Sequence, residues 1–171
     1  MSLDNTQLLD FLSVLDEDLG RKITLVAIGG TAMTLLEAKA STRDVDFTLP
    51  GNDYEEFQRV LKLNQPGFQI DCWHDGAVFI TMLPDDYLKR SKPIKTKLKN
   101  IDLRALHPVD VVVTKISRLD GRDVEDIETC IKKFRLRKEE IKKRVKQIDY
   151  HANEESFQIN LQRVIKEFFP V

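Results

Sequence analysis

Residues 26–47, VAIGGTAMTLLEAKASTRDVDF, constrain this chain more than any other stretch. The run at 23–28 is short, apolar and rich in β-branched side chains, and it is bounded by Gly20 and Gly29, which is the pattern of a buried strand. Gly29-Gly30-Thr31 turns the chain, and residues 31–38 all tolerate a helix. Residues 43–49 then alternate, with Asp44, Asp46 and Thr48 on one side and Val45, Phe47 and Leu49 on the other. The spacing therefore predicts strand, tight turn, helix, and a second strand carrying two aspartates.

That order suits particular chemistry. Glycines at a strand-to-helix turn let backbone N–H groups approach an anion, and the helix start adds the positive end of its dipole. Thr31 adds a hydroxyl donor. The same residues also suit a tight turn with no ligand, and they match neither the dinucleotide fingerprint nor a Gly-Lys-Ser/Thr phosphate loop. Two residues apart on one strand, Asp44 and Asp46 project their carboxylates to one side roughly 6–7 Å apart, near enough to converge on Mg²⁺. The alternative is a strand with one wet face. Asp71, on the polar face of the next expected strand, offers a third carboxylate and a general base, or is a surface residue.

With 171 residues, 42% of them hydrophobic, the chain suits one domain plus a helical extension. Leu8, Phe11, Leu12 and Leu15 predict a first helix capped by Asp4 or Asn5 and closed by Gly20, with no weight on residues 1–3. Tyr54, Phe57, Val60 and Leu61 predict another, capped by the turn ending at Asp53. Strands are expected at 68–73 and, after a turn at His74-Asp75-Gly76, at 77–82. A short helix or irregular segment follows residue 84, and one more strand is expected within 97–106. Beyond His107-Pro108 the pattern is helical only, with stripes at Val109, Val112, Val113 and Ile116, then at Val124, Ile127 and Ile131, and further helices at 138–149 and 154–169. The expected architecture is an α/β mixed sheet with flanking helices over 1–106, followed by a helical segment over 107–171 packed on it or extending from it.

Charged residues make up 32% of the chain against a net charge of -1, so the total forces neither a nucleic-acid nor a membrane partner. Residues 132–146 hold nine Lys or Arg and two Glu. This run suits either contact with an RNA backbone or a solvated helix face with pairs such as Glu139 with Lys143 and Glu140 with Arg144. Cys72 and Cys130 make no disulfide framework, which points to a reducing compartment or two buried thiols. His74, His107 and His151 lack ligand spacing and read as structural or surface residues. With no leader pattern and no run near the 18–20 apolar residues that span a bilayer, a soluble, cytoplasmic protein is expected.

The Gly-Gly-Thr turn, its helix and the strand Arg43-Asp44-Val45-Asp46-Phe47 resemble the signature of the nucleotidyltransferase superfamily that includes DNA polymerase β. The later run from Asp110 through Lys115, Arg122, Asp123 and Asp126 is similar to small prokaryotic nucleotidyltransferase-like proteins related to toxins of the AbiEii type. The resemblance implies that Gly29, Gly30 and Thr31 contact a triphosphate, that Asp44, Asp46 and a third acid such as Asp71 bind Mg²⁺, and that Lys115 touches phosphate or nucleotide. A nucleoside monophosphate would pass from an NTP to a hydroxyl of RNA, protein or a small molecule, and a cognate antitoxin would be a partner. A non-catalytic binding protein on the same fold is the alternative.

Overall fold

The computed structural model describes residues 1–150 and 153–171. In chain order the elements are β1 (Leu3–Asp4), α1 (Asn5–Asp18), β2 (Ile23–Ala27), α2 (Gly29–Leu35), β3 (Ser41–Thr42), β4 (Val45–Leu49), α3 (Asp53–Asn64) and β5 (Ile70–His74). There follow β6 (Ala77–Val78), β7 (Thr81–Met82), α4 (Tyr87–Arg90), β8 (Lys92–Pro93), β9 (Ile101–Ala105), α5 (Pro108–Ile116), α6 (Gly121–Phe134), α7 (Lys138–Val145), β10 (Asp149–Tyr150) and α8 (Glu154–Phe168).

A five-stranded mixed sheet in the order β5-β4-β2-β9-β8 forms the frame. β2 runs parallel to β9 and antiparallel to β4, β4 is parallel to β5, and β8 closes the far edge antiparallel to β9. Helices cover both faces. Phe47 of β4 meets Phe57 of α3 edge to face, with ring centroids 5.9 Å apart, while the alternate residue Asp46 turns toward α2. Because β4 lies inside the sheet, all five of its residues are buried, including Thr48, whose Oγ1 accepts the Gly76 N–H at 3.0 Å. The face that the alternative reading leaves wet is thus closed by protein.

α5 is the second organising element. All nine of its residues are buried, so what the valine spacing suggests is an apolar stripe is a helix enclosed on every side. α6, α7 and α8 wrap it, and the buried core runs without a break from Leu3 to Val164 across the β9-to-α5 junction at residue 106. The side chain of Arg144 on α7 pairs with Asp110 of α5, Nε to Oδ1 at 2.5 Å and Nη2 to Oδ2 at 3.1 Å. β10 adds antiparallel to β7, joining the helical segment to the β6–β7 hairpin.

Several local expectations shift. β5 starts at Ile70, residues 77–82 form two short paired strands, α2 begins at the glycines themselves, and α7 stops at Val145. The two-residue strands β1, β3, β8 and β10 are too short to show a period. Leu3 pairs with Thr42 and is 4% exposed, so residues 1–3 carry structure after all. Asp4 caps α1 as expected, in a reciprocal box with Gln7. Asp53, in contrast, does not cap: it accepts the Thr24 N–H at 2.9 Å and pairs with Arg21.

Candidate active site

The glycine turn ends β2 in extended backbone at Ile28 and enters α2 with Gly29 at φ +52°, a left-handed value that an L side chain adopts at a cost. At Gly30 the constraint is space, since a Cβ would lie 2.9 Å from Thr42 Oγ1. The first bond of the α2 ladder is Ala32 N–H to Ile28 O at 3.0 Å, which leaves the N–H groups of Gly29, Gly30 and Thr31 ahead of it. A Cβ on Gly29 would stand 4.0 Å from Asp46 Oδ2, so the turn and the carboxylate face each other closely.

Thr31 has a different job from the one the resemblance assigns. Fully buried, its Oγ1 donates to Asp44 O at 3.1 Å and accepts the Asp46 N–H at 3.0 Å. Thr42 Oγ1 also donates to Asp44 O, at 2.7 Å. Two threonines thus pin the backbone that carries the Asp-x-Asp pair to the glycine turn. Asp44 itself is exposed and sits in the bend before β4 rather than on the strand.

Asp71 is placed by register. β4 and β5 are parallel with Asp46 directly opposite Asp71, so the two residues are neighbours across one strand spacing. Gln69 Nε2 donates to Asp71 Oδ1 at 2.9 Å. Burial first, then the charges of Asp71 and Asp44, push the Asp46 carboxyl up from 3.8 to about 7, although Arg118 and Lys115 pull the other way. Two acids and two cations therefore act on one carboxylate. Among the described residues, no three His, Cys, Asp or Glu side chains are gathered closely enough to hold a metal ion as they stand.

These residues line a cleft of about 640 Å³ whose opposite wall comes from α5, α6 and the turn between them. Lys115, 3% exposed, is not a solvated side chain; its Nζ donates to Asp123 Oδ1 at 3.0 Å and pairs with Asp126 Oδ2 at 2.8 Å. Arg118 grips Asp123 with two bonds, at 2.7 and 2.8 Å, and its guanidinium lies 4.5 Å over the Phe79 ring. Lys39 reaches Asp126 Oδ1 at 2.9 Å. The result is a ladder of alternating charge, Arg118, Asp123, Lys115, Asp126, Lys39. Burial alone would raise the Asp123 carboxyl, but the Arg118 hydrogen bonds and the Lys115 charge outweigh it and hold it down to about 2. Asp120, not Asp123, caps α6 through the Asp123 N–H at 2.9 Å.

The structure thus brings Gly30, Asp44, Asp46, Asp71 and Lys115 to one cleft, with Gly29 and Thr31 buried behind it and Thr31 and Lys115 bonded to protein. Sequence reasoning missed Arg118, Lys39 and Phe79. A signal existed for the first, because Lys115 and Arg118 share the three-residue spacing of Asp123 and Asp126, which matches charges across two helical turns.

Other candidates lie elsewhere. His107 Nδ1 accepts the Val109 N–H at 3.2 Å, and burial, with Arg90 and Lys92 nearby, lowers it to about 4. His74 stacks on Tyr54 with centroids 3.7 Å apart, and His151 lies outside the described residues. Cys72 and Cys130 are free thiols that burial pushes up to about 12, so neither is a nucleophile at neutral pH. In the basic run, Arg144 is buried against Asp110 and so unavailable to RNA, and Glu140 closes the start of α7 with Arg137 instead of pairing with Arg144.

A strand, glycine turn and helix set against carboxylates on two adjoining strands of a mixed sheet define a protein of nucleotidyltransferase fold. Residues 6–168 match the family described as "Nucleotidyltransferase of unknown function (DUF6036)", and the chain belongs to that family. Two solved structures share the fold. One is ANT(2")-Ia in complex with adenylyl-2"-tobramycin, at 11% identity and TM-score 0.54 over 96% of this chain and 99% of that one. The other is an antigenic nucleotidyltransferase-like protein from Paracoccidioides brasiliensis, at 16% identity and TM-score 0.57 over 98% of this chain and 91% of that one. A search of curated proteins finds no match. The narrower likeness to AbiEii-type toxins gains no support from these matches. Among the described residues, no helix is long and apolar enough to cross a membrane.

Proposed function

We propose that the cleft binds a nucleoside triphosphate with Mg²⁺ and transfers its nucleoside monophosphate to a hydroxyl acceptor, the acceptor oxygen bonding to the α-phosphorus as the bond to the β-phosphate breaks and pyrophosphate leaves. The observation that carries this reading is the register of Asp46 with Asp71 beside Asp44, directly opposite a glycine turn with N–H groups outside the helix ladder. The chemistry of the donors supports a divalent cation: all three are hard oxygen ligands, and burial together with the charges of Asp71 and Asp44 raises Asp46, a cost that a positive ion would relieve. Asp44, Asp46 and Asp71 would hold Mg²⁺, which supplies Lewis-acid stabilisation of phosphoryl oxygens when bound.

The chain's own groups divide the remaining work. N–H groups of Gly29 and Gly30 hold phosphate oxygens, and Thr31 keeps Asp44 and Asp46 in register with them. Asp71 Oδ2, free of the Gln69 bond, takes the proton of the acceptor hydroxyl. Lys115 and Arg118 supply positive potential at Asp46 while braced by Asp123 and Asp126. In this role Lys115 is a positioning residue.

Incorporation of α-labelled NTP into RNA, protein or small molecules of an extract tests the reading. Incorporation that survives Asp44→Asn combined with Asp46→Asn would sink the metal-site assignment. The bracing of Lys115 by two aspartates also favours a second reading, a nucleotide-binding protein without transfer. Calorimetry separates the two, since the transferase requires NTP affinity that strengthens with Mg²⁺. An antitoxin partner follows only from the AbiEii-type resemblance and forms no part of the proposal.

A further inference from the structure

The far edge of the sheet carries a second concentration of charge. Between Asp86 and Asp102 there is no acid, but there are Lys89, Arg90, Lys92, Lys95, Lys97 and Lys99. Arg90 turns inward toward Asp110, at 3.7 Å. The five lysines are exposed, and none makes an ion pair or side-chain hydrogen bond among the described residues. Asp10 and Glu17 of α1 line the groove beside residues 95–100 without pairing to them, and Asp102 pairs with Arg104.

The lysines hold nothing in the fold, yet the backbone that displays them is firmly anchored. The buried carboxylate of Asp16 accepts the N–H groups of Lys99, Asn100 and Ile101 at 2.9, 2.8 and 2.9 Å, and Asn100 Nδ2 returns a bond to Asp16 O at 3.0 Å. Ile94 N–H is bonded to Leu103 O at 2.9 Å. Between these anchors exposure alternates, with Lys95, Lys97 and Lys99 outward and Thr96 and Leu98 half-buried. Three exposed lysines at alternate positions of an anchored segment present closely spaced positive charge complementary to a line of phosphates. No large exposed apolar side chain accompanies them, which removes the anchor that a lipid surface or an apolar peptide would use.

We infer that this edge, from Lys89 to Lys99, binds the sugar-phosphate backbone of single-stranded RNA. Its position relates it to the cleft: Lys92 pairs with Ala105, Ala105 with Ala27, and Ala27 with Phe47, the neighbour of Asp46. The lysine line therefore begins at the end of the sheet where the carboxylates lie and runs away from it, as a track for RNA whose terminus reaches the cleft. The link to transfer rests on the reading above, whereas the binding does not.

The test is fluorescence anisotropy of a labelled single-stranded oligoribonucleotide with the full chain, without NTP or divalent metal, so that failure of the transferase reading leaves the result untouched. Lys95→Ala, Lys97→Ala and Lys99→Ala together should weaken binding roughly tenfold or more and make the slope of log K against log salt shallower by about 2. The triple Lys→Arg variant should restore both. The idea is overturned if wild type fails to bind, if the alanine triple binds as wild type does, or if only Lys142→Ala with Lys143→Ala on α7 and Lys146→Ala just after it loses binding. Tighter binding to vesicles of anionic lipid than to RNA would also overturn it.

Discussion

Asp46 is where the chemistry of single residues is most exposed to test. Its carboxyl titrates at 3.8 in an unfolded chain and at about 7 in the fold, so between those values the folded protein holds more protons than the unfolded one. Stability from this group is fully present below pH 3.8 and is lost as pH rises through 7, a loss on the order of 4 kcal/mol at most. Urea unfolding in metal-free buffer at pH 5 and pH 8 should show Asp46→Asn gaining stability relative to wild type as pH rises, on top of the opposite contribution that His107, lowered to about 4, makes equally in both proteins; the same pH slope in variant and wild type would refute the assignment. Added Mg²⁺ should restore wild-type stability at pH 8 and leave Asp46→Asn nearly unaffected. Gly30 tests geometry without charge. A methyl group placed 2.9 Å from Thr42 Oγ1, itself bonded to Asp44 O, should cost Gly30→Ala about 1–3 kcal/mol, read as a lower thermal midpoint.

Among elements, the joint between α5 and α6 depends on paired buried charge. Lys115 and Asp123 have side chains 4% and 1% exposed, so removing either partner leaves the other buried with fewer opposite charges. Asp123→Ala leaves Lys115 with Asp126 alone and Arg118 without its two bonds, and chemical denaturation should report a loss of about 3–5 kcal/mol. Lys115→Met together with Asp123→Leu should cost clearly less than Asp123→Ala, because no unpaired charge remains between the two sites. A double variant at least as unstable as the single one would show that packing, not the stranded charge, sets the cost.

For the molecule as a whole, the core crosses the boundary that a change from mixed to purely helical pattern suggests at residue 106. Arg144 of α7 pairs with Asp86 at 2.8 Å, Arg90 of α4 lies 3.7 Å from Asp110 of α5, and β10 pairs with β7, so the helical segment and the sheet should unfold together. Calorimetric and van't Hoff enthalpies of unfolding should agree, and far-UV and near-UV transitions should coincide. Two separated transitions would mean that residues 107–171 form a unit of their own. Arg144→Met should lower stability by about 3–5 kcal/mol by leaving Asp110 buried without its partner.

The elements that hold the site were legible from local pattern: β-branched residues before Gly29, helix formers after Gly30, alternation through Asp46, and turn residues at 50–53 are all preferences settled within a few residues. So was the glycine turn, because neither the positive φ of Gly29 nor the tight contact at Gly30 admits a side chain easily. Which groups oppose each other was decided by tertiary structure. Strand register set Asp71 beside Asp46, sheet order buried Thr48 on the side that the alternative reading leaves wet, and the packing of α6 on α5 turned Lys115 from a candidate ligand contact into a braced cation. Alternation and helical spacing record which way a side chain leaves its own element. They carry no information about the partner it meets, since that depends on residues far away in the chain.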